Sequence, residues 1–169
     1  SCADEKNELW CISPDKQVTI LLNKYNDRLL NGPNDLWIAK NGDVYFTDPY
    51  YKRTWWDHSA MPQDKQCVYY LSADRKTFKR VADDLVKPNG IIGSLDGKTL
   101  YVADIEDRKT WAYTINEDGS LGNKKLFCEM GSDGMTTDRK GNLYLTGKGV
   151  TVFDKNGKEL GNSAVHANW

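Results

Sequence analysis

Long apolar runs are missing from this chain. The longest, such as Val18-Thr-Ile-Leu-Leu22, are strand-sized and fall far short of the ~20 residues that a membrane-spanning helix requires. A membrane is therefore not an expected partner. Net charge is nearly absent as well, with 23 Lys and Arg against 24 Asp and Glu. No basic field gathers phosphates, and nucleic acid is not expected as a partner either. Histidine is scarce: His58 and His166 are the only two, and neither stands at a repeated position, which argues against a histidine catalyst. The four cysteines, Cys2, Cys11, Cys67 and Cys128, lack zinc-ligand spacing. Cys67 and Cys128 read as buried thiols; Cys2 and Cys11 read either as thiols or as a pair facing across a hairpin. No window carries apolar residues at helical spacing over three turns, so almost no helix is expected. Localisation stays open.

What the chain does contain is a repeated strand pattern rich in Val, Ile, Thr, Tyr and Trp. Residues 34–48, Asn-Asp-Leu-Trp-Ile-Ala-Lys-Asn-Gly-Asp-Val-Tyr-Phe-Thr-Asp, give an apolar run, a glycine turn and a second run ending in acid. This is a hairpin signal. It recurs at 89–104 and 133–147, with turn glycines Gly42, Gly97 and Gly141 and strand tyrosines Tyr45, Tyr101 and Tyr144 at intervals of 56 and 43 residues. A second hairpin follows each copy: Cys67–Leu71 with Phe78–Ala82, Trp111–Ile115 with Lys124–Phe127, and Val150–Phe153 with the residues after Gly157. Two hairpins make one four-stranded antiparallel blade, and a period of this size built from strands predicts an all-β propeller. The expected blade segments are about 1–30, 31–86, 87–130 and 131–169 of one partial propeller domain, about three and a half blades. Cys2-Ala3-Asp4 before Leu9-Trp10 echoes Val102-Ala103-Asp104 before Thr110-Trp111, so the chain is expected to open on the second strand of a blade. An open arc exposes its end faces, which calls for further blades or a partner chain to complete the ring.

The stretches Asn31-Gly-Pro-Asn-Asp-Leu36, Asp48-Pro-Tyr-Tyr51, Lys87-Pro-Asn-Gly90 and Ser132-Asp-Gly-Met135 together resemble the senescence marker protein, gluconolactonase and luciferin-regenerating-enzyme-like family. The resemblance implies a six-bladed propeller with a divalent cation in its central channel and hydrolysis of a small-molecule lactone. The family's pattern fades after Leu160, and Asn162-Ser-Ala164 is no glycosylation acceptor.

In a propeller the first strand of every blade lines the channel, so equivalent positions converge. Asn34, Asn89 and Asp133 each stand eleven or twelve residues before the blade tyrosine, which places them at one end of the channel as candidate metal ligands. Two amide oxygens and a carboxylate suit a hard cation, calcium ahead of magnesium, manganese or zinc. Taken singly, an Asn or Asp at a strand start would only cap a turn. By resemblance Asp133 is also the general base, and Asn34 orients substrate. An early-blade glutamate that the family supplies has no counterpart in this sequence, so the chain alone is expected to bind calcium weakly. Asp35 should point away from the channel. Asp48 and Asp104 should bond backbone amides of the next turn. The polar, aromatic segment from Asp48 to His58 is either a substrate lid, with Tyr50 and Tyr51 as substrate-binding residues, or a surface loop packed on its neighbour. Sequence alone does not separate a lactonase from a phosphotriesterase-like propeller hydrolase, and a non-catalytic binding scaffold is the third reading.

Overall fold

Alternation governs the strands. The computed structural model describes residues 1–163. Strands β1 (Cys2–Ala3), β2 (Glu8–Ile12) and β3 (Val18–Leu22) form a three-stranded antiparallel sheet, followed by a small hairpin of β4 (Lys24–Tyr25) and β5 (Arg28–Leu29). Three four-stranded sheets come next, each with its strands in sequence order. They comprise β6 (Leu36–Ile38), β7 (Val44–Asp48), β8 (Cys67–Leu71) and β9 (Phe78–Ala82); then β10 (Pro88–Gly93), β11 (Thr99–Asp104), β12 (Lys109–Ile115) and β13 (Leu121–Cys128); then β14 (Met135–Thr137), β15 (Leu143–Gly147), β16 (Gly149–Phe153) and β17 (Glu159–Ser163). All pairings are antiparallel. One short 3-10 turn, Asp4–Lys6, is the only helical element among the described residues, and no helix there is long and apolar enough to cross a membrane. The architecture is a partial β-propeller.

The hairpin turns form where the glycines predict them: Gly42, Gly97 and Gly141 take φ of 90°, 71° and 80°, in the left-handed region that glycine enters without strain. The side chains of β7 and β8 then divide by parity. Val44 and Phe46 of β7, with Cys67, Tyr69 and Leu71 of β8, face the first sheet and pack on Leu9 and Leu30. Tyr45, Val68 and Tyr70 face the other way and meet Ile91, Leu100, Val102 and Tyr113 of the third sheet. Tyr101 and Cys128 pack in turn on Leu143, Leu145 and Phe153 of the fourth. Each apolar cluster is thus the seam between two sheets, and the outward face of β3 leaves Val18 and Ile20 half exposed, at 49% and 53%. All four cysteines are free thiols. The β1–β2 register sets Cys2 opposite Leu9, which rules out the alternative of a Cys2–Cys11 pair.

The innermost strands come close together. β10 packs against β6 and β7 on one side and β14 on the other. Gly93 permits this, because a Cβ there would lie 2.1 Å from the Trp37 ring.

Asp48 and Asp104 close their strands as amide acceptors. Asp48 takes the N–H groups of Asn31 and Gly32 at 2.9 and 2.8 Å, and Asp104 those of Val86 and Lys87 at 2.7 and 2.9 Å. These amides belong to the segment entering the same sheet, so the expected bonding to the next turn holds only for Asp104, which also accepts from Asp107 N–H at 3.2 Å. Burial pushes the Asp48 carboxyl up to about 7, against the downward pull of the two amides. Between its ordinary value and about 7 the folded state holds a proton that the unfolded chain has released. Stability from this group should therefore rise as pH falls through about 7 and level off below the ordinary carboxylate range. Urea midpoints of wild type and Asp48→Asn across that interval are expected to diverge toward lower pH in favour of wild type; parallel curves would show that Asp48 stays ionised.

Candidate functional site

Residues at the start of β10 and β14 supply the centre of the site. Asn89 is 1% exposed. Its Nδ2 donates to Asp133 Oδ1 at 2.8 Å and to the Tyr51 hydroxyl oxygen at 2.7 Å. Its Oδ1 is buried without a hydrogen-bond partner. Asp133 is exposed to solvent, so one carboxylate oxygen is steadied by the amide while the group faces the open side. Backbone ties fix the pair: Gly90 N–H donates to Ser132 C=O at 3.1 Å, and the Ser132 hydroxyl donates to Gly134 C=O at 2.6 Å. A Cβ at residue 90 would stand 3.1 Å from the Ser132 oxygen, so glycine allows β10 to approach the Asp133 segment.

Asn34 sits on the neighbouring strand. Its N–H donates to Thr47 C=O at 3.0 Å, which extends the β6–β7 ladder, but its side chain makes no hydrogen bond among the described residues. The structure therefore joins Asn89 to Asp133 directly and leaves Asn34 one strand away. Asp35 does not line the site. Its Oδ1 accepts from Leu36 N–H at 2.8 Å and its Oδ2 from Ile91 N–H at 3.0 Å, which stitches β6 to β10, and burial raises its pKa.

The segment after β7 runs across the same end. Arg53 pairs with Asp4 at 2.7 Å, and Trp56 Nε1 donates to the Asp4 carbonyl at 3.1 Å, so the loop is anchored on the 3-10 turn of the first sheet. Trp56 also stacks on Tyr50 and His58 with centroids 5.8 and 4.9 Å away. Tyr50 turns back into this loop and donates to Ser59 C=O at 2.9 Å. Tyr51 turns the other way, toward Asn89, with the Lys87 ammonium 5.2 Å and the Arg53 guanidinium 5.4 Å from its ring centre. Two adjacent tyrosines thus serve different surroundings. Sequence gives no role to Thr47, which reads as an ordinary strand residue, to Arg53, which stands in a loop without a period, or to Lys87, which opens the Lys87-Pro-Asn-Gly90 stretch but is not itself a candidate site residue. His166 lies outside the described residues.

Among the described residues, no three His, Cys, Asp or Glu side chains converge as a metal cluster. The oxygen donors at this end are one carboxylate and neutral amides. The partnerless Asn89 Oδ1 beside the Asp133 carboxylate is what a cation-binding ring would present: an acceptor that no protein donor has claimed. The residues fit a hard cation.

A polar centre at one end of the innermost strands of a propeller arc defines the class of protein. The sequence model of the SMP-30/Gluconolactonase/LRE-like region matches residues 2–168, and the chain belongs to that family. It is 32% identical over 162 residues to a gluconolactonase of Zymomonas mobilis, covering 86% of this chain and 45% of that protein. It is 30% identical over 168 residues to a lactonohydrolase of Aspergillus oryzae, covering 83% of this chain and 38% of that one. Among solved structures, a gluconolactonase of Xanthomonas campestris superposes with a TM-score of 0.89 at 32% identity, over 98% of this chain and 58% of the other. The chain spans about half the length of the relatives it matches.

Proposed function

We propose that this chain carries part of the active site of a hydrolase acting on sugar lactones or related cyclic esters, with Asp133 as general base. The observation behind this reading is the Asn89–Asp133 contact: a buried amide grips one oxygen of an exposed carboxylate and leaves the other to take a proton from water. Two of the relatives it matches are a gluconolactonase and a lactonohydrolase, which favours a lactone as the substrate. Asn34, Asn89 and Asp133 would hold a divalent cation, calcium by preference, whose chemistry is that of a Lewis acid toward the ester carbonyl. The Tyr51 oxygen accepts from Asn89, so its own O–H is free to donate to a bound substrate. Tyr50 shapes the loop that presents Tyr51, and Asn34 contributes an unbonded amide for a substrate hydroxyl.

Proton release from glucono-lactone by the complete propeller that contains this chain, measured at excess calcium and again after chelation, tests the proposal; the chain alone, with part of the site, is expected to be inactive. Hydrolysis above the buffer rate that falls on chelation is expected. A rate equal to buffer at every calcium concentration, or faster turnover of diisopropyl fluorophosphate than of any lactone, overturns it.

A further inference from the structure

The start of β10 lacks the ladder that holds an ordinary strand. Its pairing with β11 jumps from Pro88–Asp104 to Ile91–Val102, so Asn89 and Gly90 have no regular partners in their own sheet. These two residues carry and flank the amide at the centre of the site, and something else must hold them.

The second sheet supplies it. The Thr47 side chain, in a fully buried residue, donates its hydroxyl to Asn89 C=O at 2.7 Å. The Thr47 hydroxyl oxygen also accepts, from Asp35 N–H at 3.2 Å. Asp35 in turn accepts Ile91 N–H through Oδ2 at 3.0 Å. From the opposite side Gly90 N–H is held by Ser132 C=O at 3.1 Å. Residues 89, 90 and 91 thus each take a bond from a neighbouring sheet or the segment leading into it, and of the three only Ile91 also has a ladder partner in its own sheet. The position matching Thr47 in β11 is Ala103, which has no hydroxyl to offer the next sheet. The Asp133 segment is instead tied to its own sheet, with Thr146 N–H on Gly134 C=O at 3.1 Å. Thr146, the matching residue of β15, bonds its hydroxyl to Gly134 within its own sheet, so among the described residues the Thr47 hydroxyl is the one of these three positions that reaches across a seam.

We propose that Thr47 and Asp35 form a clasp between the second and third sheets that positions Asn89 against Asp133 and Tyr51. Thr47 touches neither substrate nor reacting atoms; it is a positioning residue, acting through the Asn89 backbone. Valine matches its shape and removes the hydroxyl, and serine keeps the hydroxyl and drops a methyl. The consequence for turnover rests on the hydrolase reading of Asn89 and Asp133, but the geometric claim does not.

Two readouts separate them. In ¹⁵N-labelled protein the Asn89 side-chain amide resonances report its bonds to Asp133 and Tyr51, whether or not the protein hydrolyses lactones. Thr47→Val is expected to move these resonances and to lower kcat for lactone hydrolysis by about 10–100-fold with KM little changed, the scale usual for partners that orient site residues. Thr47→Ser is expected to restore the resonances and most of the rate. Unmoved resonances in Thr47→Val, or equal losses in the valine and serine variants, overturn the clasp. Moved and rescued resonances in a complete propeller without lactonase activity uphold the clasp and overturn the hydrolase reading. Should Thr47→Val fail to fold by circular dichroism, Asp35→Asn carries the same test from the other end. An asparagine cannot accept both amides, so the Asn89 resonances should shift there too, and their constancy overturns the proposal.

Discussion

In the complete propeller, Asp133→Asn is expected to lower kcat for lactone hydrolysis by about 10²–10⁴-fold, the range that a positioned general base supplies, while leaving the fold unchanged. The two side chains have the same shape, and an asparagine Oδ1 can still accept from Asn89 Nδ2, the bond that holds Asp133 at 2.8 Å. What disappears is the charge and the capacity to take a proton. Because residue 133 is exposed, the substitution should change stability by no more than about 0.5 kcal/mol. Rate by proton release and melting by calorimetry therefore separate chemistry from folding. A variant that keeps wild-type turnover removes Asp133 from the mechanism, and one that loses activity only by unfolding assigns it a structural part.

That Asn89 and Asp133 would meet was legible because a propeller converts a one-dimensional offset into a shared place: equal distance from the strand tyrosine means equal height along the channel. Strands β8 and β9 fell at their expected bounds, Cys67–Leu71 and Phe78–Ala82, since alternating apolar residues with both faces buried leave little freedom of register. Partners across a seam were less legible. Strand parity turned Asp35 away from the channel, yet nothing in a period of two says that its carboxylate would reach Ile91 N–H in the next sheet. Asp48 and Asp104 are legible as amide acceptors, but apart from Asp107 N–H on Asp104 their donors come from the entering segment, which only the closed hairpin brings alongside. Loop residues carry no period at all, so the division between Tyr50, bonded to Ser59, and Tyr51, bonded to Asn89, had no sequence signal. The β4–β5 hairpin did have one: Asn26-Asp27, with φ of 50° and 61°, suits a tight hairpin turn that tolerates both residues in the left-handed region.

The seams, more than the individual sheets, carry the stability on which the site depends, and Phe46→Ala should show it. Phe46 is fully buried, stacked on Tyr69 at 5.4 Å and Phe78 at 6.2 Å, and packed with Leu9 and Leu30 of the neighbouring first sheet and its connection. Truncation removes a ring whose surroundings are the pleats of two sheets, which cannot collapse into the gap without breaking their own ladders. The expected cost is about 3–5 kcal/mol, equivalent to a fall in melting temperature of roughly 6–20 °C at ~2–4 °C per kcal/mol for a chain of this size. Ile38→Ala is the control, since Ile38 is 60% exposed and should change stability by no more than about 0.5 kcal/mol. Equal melting temperatures for the two variants would mean that the first seam is not packed as described. Phe46 immediately precedes Thr47 in β7, with its side chain on the strand's opposite face. A strand firmly seated on one seam is what gives the Thr47 hydroxyl a fixed point from which to hold Asn89 across the other.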